Sequence, residues 1–209
     1  MNNSIKINNV NINYIKKGDG KPVIFLHGWG QSFNSFTPMI EELSKTKQVW
    51  AIDFPGFGES DEPDFPYTVY DYNDMLEKFI KENKIKNPSL IAHSFGARVS
   101  IIYAANNKNL DKLVFTGGAG IKPVRGIKQS LSVYNYKFMK FLCKTPFYRQ
   151  YADDLFATSG SEDYKNASDI MKKVLINVVN EDLTYLLQEI DVKTLLYWGA
   201  KDDATPLED

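Results

Sequence analysis

Four short strand-like runs, residues 23–26, 49–52, 89–92 and 113–115, are spaced through the first 120 residues, with helix-patterned stretches between them. Val23-Ile24-Phe25-Leu26 and Val49-Trp50-Ala51-Ile52 are apolar throughout, which suits strands covered on both faces. Between the runs, residues 35–43, 70–81 and 95–106 carry helical spacing, with Met75, Leu76, Phe79 and Ile80 as the clearest stripe. Pro38 is tolerable only near the start of its helix. Alternation of this kind predicts an α/β fold with a mostly parallel sheet. Ahead of it, Ile5, Ile7, Val10, Ile12 and Tyr14 lie near period 2 around Asn8-Asn9 and predict two short strands.

The rhythm breaks at Gly117-Gly118-Ala119-Gly120. Residues 121–190 show no clear strand but do show amphipathic helix, as in Ile170, Met171, Val174, Leu175, Val178 and Val179. Charge is polarised there. Residues 121–152 hold seven basic residues and no acidic one, and residues 153–191 hold nine acidic and three basic. The basic stretch is either a solvated helix face, a partner for the acidic half, or a contact for an anionic lipid surface or acidic substrate. The aromatics of residues 121–190 (Tyr134, Tyr136, Phe138, Phe141, Phe147, Tyr148 and Phe156) either pack a core or line an apolar pocket. Thr194 to Trp198 then returns to buried-strand character.

The chemistry concentrates in Ala92-His93-Ser94-Phe95-Gly96, between a predicted strand and a predicted helix. A sharp turn there lifts the serine above the sheet and brings the residues two before and two after it together. Both must be small; Gly96 meets this fully and Ala92 should fit. By itself the segment is also compatible with an ordinary strand–helix turn. Three loops that follow other strands add weight. His27-Gly28-Trp29-Gly30 is placed to aim the Trp29 N–H at a substrate carbonyl, with the Phe95 N–H as second donor. His27 is expected to orient that loop through hydrogen bonds. Asp53 to Ser60 is a tight loop in which Asp53 is expected to bind backbone amides. In the loop after Gly199, Asp202 is the candidate acid, with Asp203 as its alternative.

Together these segments resemble the alpha/beta-hydrolase fold family, and the resemblance runs over essentially the whole chain. It implies a core of residues 1–120 and 191–209 with a helical cap over 121–190. A serine at the elbow is similar to esterases, lipases and meta-cleavage-product hydrolases rather than to dehalogenases or epoxide hydrolases, which carry aspartate there. The implied activity is hydrolysis of a carboxylic ester or similar acyl bond by Ser94 and Asp202 through an acyl-enzyme. Trp29 and Phe95 would form the oxyanion hole, and His27, Gly28, Gly30 and Gly96 would support it. C–C bond hydrolysis at the same site is one alternative, and an inactive binding module is another.

The family order is Ser, acid, His. Here the only histidines are His27 and His93, and the chain stops seven residues past Asp202. The expectation is therefore a hydrolase lacking its last strand, helix and histidine loop, inactive as 209 residues. The edge of the strand at 194–198 would then invite self-association.

Composition excludes other classes. Lys+Arg 25 against Asp+Glu 26 gives a net charge of −1, which does not suit a generally basic nucleic-acid binder. The single cysteine, Cys143, reads as a small buried hydrophobe in a reducing, cytoplasmic setting. No apolar run approaches the ~18 residues of a membrane span, so no stable membrane insertion is expected. There is no phosphate loop or metal-ligand cluster, so no cofactor or metal is expected. The expected partner is a small apolar acyl or ester substrate.

Overall fold

The computed structural model describes residues 2–121 and 167–202, with Thr205 and Leu207. Cys143, Asp203, the basic stretch at 122–149 and the seven aromatics of the insertion lie outside the described residues. Contacts divide the chain into two compact units, Met1–Lys122 with Ser168–Asp209, and Pro123–Ala167.

The first unit is built on a seven-stranded sheet: β1 (Asn3–Ile7), β2 (Val10–Lys17), β3 (Pro22–Leu26), β4 (Gln48–Ile52), β5 (Ser89–Ser94), β6 (Lys112–Gly118) and β7 (Thr194–Tyr197). The spatial order is β1-β2-β4-β3-β5-β6-β7. β1 and β2 form an antiparallel hairpin, and β2 pairs antiparallel with β4. From β4 to β7 every pairing is parallel. Asn8 and Asn9, with φ of 50° and 66°, make the hairpin turn. That backbone is the left-handed conformation which asparagine tolerates better than most residues.

The expected alternation is present. Helices α1 (Thr37–Leu43), α2 (Val69–Glu82) and α3 (Phe95–Asn106) fall between the strands, and α4 (Asp169–Asn180) lies in the described end of the insertion. Pro38 stands in the first turn of α1, where its missing N–H costs nothing. α2 starts at a capping box. Thr68 Oγ1 accepts from the Asp71 N–H, and Asp71 Oδ2 accepts from the Thr68 N–H at 2.7 Å. β3, β4 and β5 form the centre of the sheet, and Ile24, Phe25, Leu26, Val49, Ala51, Ile52 and Ala92 are fully buried. This is what near-continuous apolar strands require.

β7 departs from its expected buried character. It pairs with β6 alone among the described residues, and Leu195, Leu196 and Tyr197 are 59%, 63% and 70% exposed. Its apolar composition matches that of the inner strands, but it is the edge strand of the sheet, with N–H and C=O groups along its outer side unpaired among the described residues.

Candidate active site

The parallel strands aim their carboxyl ends at one edge of the sheet, where a doubly covered sheet places its ligands. Each sequence-predicted loop leaves from that edge. At the end of β5, Ser94 has φ 46° and ψ −106°. That strained backbone costs on the order of 1–3 kcal/mol and recurs at functional sites. The turn works because neighbours are small. A Cβ on Gly96 would sit 2.2 Å from the Leu26 carbonyl oxygen, so α3 leaves the sheet closer to β3 than any side chain would allow. Ala92 is fully buried. Beside it the β5–β6 register slips between His93 and Ser94, and Gly117, with φ 57°, takes up the extra residue.

Phe95 is the first residue of α3, so its N–H has no carbonyl one turn back in the helix. Trp29 follows β3, and its ring packs edge-on against Phe57 at 4.8 Å and Phe95 at 5.7 Å between centroids. These contacts bring the β3 loop over the start of α3.

His27 is fully buried. Its Nδ1–H donates to the Gly28 carbonyl at 2.7 Å, and its Nε2 accepts from the Phe54 N–H at 3.0 Å. Both nitrogens are thus engaged, which fixes the neutral tautomer. Burial lowers its pKa, outweighing the opposing effects of the Gly28 carbonyl and Asp53. The ring joins two site loops and is not placed to relay protons. Asp53 is equally buried and holds the same loops. It accepts from the Phe33 N–H (2.8 Å), Asn13 Nδ2 (2.8 Å) and the Glu59 N–H (3.0 Å). Gly58 passes so close that a Cβ there would lie 2.2 Å from Asp53 Oδ2.

The His27 geometry sets a pH dependence. With the folded-state pKa lowered, the unfolded chain binds more protons below about 6.5. Stability is therefore full above that pH and declines as pH falls below it. Thermal melts should show a falling midpoint from pH 7 to 5, and His27→Gln, which cannot take a proton, should flatten that decline. Parallel wild-type and variant curves would assign the effect elsewhere.

Asp202 lies past the end of β7, where Thr205 holds it. Its Oδ1 accepts from the Thr205 N–H at 2.9 Å and its Oδ2 from the Thr205 hydroxyl at 3.1 Å. Trp198 Nε1 donates to the Thr205 carbonyl and braces the loop from beneath. Asp202 Oδ2 comes within 3.0 Å of the point a Gly117 Cβ would occupy, and the His93 ring comes within 3.6 Å of it. The carboxylate thus stands above the β6 bulge, beside the strand that ends in Ser94. His93 Nδ1 is within hydrogen-bonding distance of the Thr116 carbonyl.

A cavity of about 200 Å³ opens at this edge, lined by Trp29, Ser94, Phe95, Arg98, Ala119, Leu175, Val178, Val179 and Thr205. A larger cleft of about 410 Å³ lies at the opposite ends of β6 and β7, between Asn107–Lys112 and Asp191–Lys193. It contains no serine, cysteine or histidine, so the smaller cavity is the chemical candidate. Thr205 and Arg98 line this cavity and were not among the residues expected from the sequence. The signals were a threonine three residues after Asp202 and an arginine one turn after Ser94.

The alpha/beta hydrolase fold family matches residues 21–168. The chain belongs to the alpha/beta hydrolase fold family. The match takes in the His27 loop, the Asp53 loop and the Ser94 elbow. Its relatives include the AB hydrolase superfamily protein YisY of Bacillus subtilis (strain 168), 26% identical over 91% of this chain and 78% of that protein. A 2-(acetamidomethylene)succinate hydrolase of Mesorhizobium japonicum is 32% identical over 53% of this chain and 40% of its own length. Among solved structures, an esterase from Exiguobacterium antarcticum superposes with a TM-score of 0.74 at 24% identity, covering 100% of this chain and 84% of the esterase. Among the described residues no group of three or more His, Cys, Asp or Glu is arranged to hold a metal. No described helix is long and apolar enough to cross a membrane.

Proposed function

We propose that the protein is a serine hydrolase of carboxylic esters or similar acyl bonds, acting through an acyl-enzyme on Ser94. The observation that carries this reading is the strained backbone of Ser94 at the mouth of the cavity, with the Phe95 N–H beside it at the helix start. In the proposed mechanism Ser94 Oγ attacks the substrate carbonyl, and its proton passes to an imidazole. The carbonyl oxygen takes the negative charge and is held by the Trp29 and Phe95 N–H groups. The imidazole then protonates the leaving alcohol, and water attacks the acyl-enzyme by the same route in reverse. Asp202 orients the imidazole.

The imidazole itself is supplied from outside residues 1–209 in this reading. His27 has both nitrogens engaged, and His93 is turned to the Thr116 carbonyl. A serine rather than an aspartate at the elbow favours acyl transfer over the carboxylate-nucleophile chemistry of epoxide hydrolases and dehalogenases. The wall of the cavity suits a small apolar body next to the reacting carbonyl.

Pure 209-residue protein tests the reading on a short p-nitrophenyl ester. With no imidazole in place, activity should be no more than roughly 10³–10⁴ over water, the share that oxyanion donors and binding supply. A turnover of about 10 s⁻¹, ordinary for an enzyme, would mean that His27 or His93 serves as the base.

A further inference from the structure

We propose that Arg98 makes the Ser94 cavity selective for acyl groups that carry a carboxylate, by pairing its guanidinium with that carboxylate. The inference rests on the reading of Ser94 as nucleophile and names the substrate class for that site. Arg98 lies in the first turn of α3, which begins at Phe95 directly after Ser94. Arg98 and Ser94 line the same cavity, whose apolar lining includes Trp29, Phe95, Leu175 and Val178. Arg98 is the one charged group that lines this cavity among the described residues, and a single charge there fixes how a ligand enters.

The guanidinium has donors to spare. Arginine carries five N–H donors. Here Nη1 donates to the Glu181 carbonyl at 2.9 Å. Arg98 has no ion pair with a carboxylate within 4.0 Å among the described residues. The nearest acidic side chains have other donors: Glu181 Oε1 accepts from the Tyr70 hydroxyl at 3.4 Å, and Asp182 Oδ1 from the Thr184 N–H at 3.1 Å and hydroxyl at 2.6 Å. The bond to the Glu181 carbonyl splints the side chain. Burial also lowers the pKa of the guanidinium, against the pull of Glu181 and Asp182, which marks a partly desolvated cation. Such a cation gains most from an anion that forms two parallel hydrogen bonds. The substrate class that fits is a monoester or monoamide of a short dicarboxylic acid, with the free carboxylate on Arg98 and the acyl carbonyl at Ser94.

Calorimetric titration of the 209-residue protein tests this with glutaranilic acid and with its neutral carboxamide. The acid should bind tenfold to a hundredfold tighter, as expected for a charge-assisted hydrogen-bonded pair. Arg98→Met should bring the ratio close to one, and Arg98→Lys should keep a few-fold preference. A ratio near one in the wild type would overturn the proposal, and so would an unchanged ratio in folded Arg98→Met. If Arg98→Met does not fold, the wild-type ratio and its reduction in Arg98→Lys still decide. Fluorophosphonate labelling of Ser94 in imidazole buffer, which provides the base, reports the nucleophile separately. Selective binding without labelling supports the carboxylate site and removes the nucleophile; labelling with a ratio of one removes the carboxylate site alone.

Discussion

Ser94→Ala should abolish the covalent step, and with an imidazole in place it should lower kcat by about 10⁶. No neighbouring side chain replaces the lost hydroxyl. Gly96, Phe95 and Ala92 carry no nucleophile, and Thr205 across the cavity is bonded to Asp202. Removal of the hydroxyl at this half-buried turn keeps the Cβ and the backbone strain, so the melting temperature should change little. Steady-state kinetics on a short ester, with thermal melts in parallel, check both halves. Loss of activity together with loss of fold would show only that the turn needs the hydroxyl.

Asp202→Asn should lower kcat by about 10⁴ while KM changes little. An amide keeps the shape of the carboxylate but stabilises the wrong tautomer of the imidazole and gives no charge to the imidazolium. The substitution is discriminating because Thr205 already binds both carboxylate oxygens. Thr205→Val, which keeps the charge and removes the hydroxyl bond, should cost far less than Asp202→Asn. If the two variants lose activity equally, Asp202 acts by shaping its loop. If Asp203→Asn produces the large loss, the acid is one residue further on.

Much of this arrangement could be read from the chain because its signals are local. The inner strands are recognisable as short apolar runs, since burial on both faces leaves no room for alternation. The Ser94 elbow is recognisable because the turn excludes a Cβ at Gly96. His27 and Asp53 are legible as loop residues from their places at strand ends, and each makes hydrogen bonds to backbone groups of the loops there. Long-range arrangement was less legible. Leu195-Leu196-Tyr197 has interior composition, yet exposure depends on which neighbours a strand receives, and composition does not encode that. The role of Gly117 was hidden as well. Its positive φ exists only because β5 and β6 fall out of register beside Ser94, and a register shift leaves no mark in either strand alone. Arg98 was passed over because an arginine in a helix is ordinarily a solvated one, and only the cavity shows which side it lines.

The central claim is that Ser94 is the nucleophile, and covalent labelling tests it most directly. The protein is treated with a fluorophosphonate in imidazole buffer, so that the base is provided, then digested and mapped by mass spectrometry. The adduct should lie on Ser94, form faster as imidazole is raised, and disappear in Ser94→Ala. An adduct on another residue, or labelling that survives Ser94→Ala undiminished, would contradict the claim.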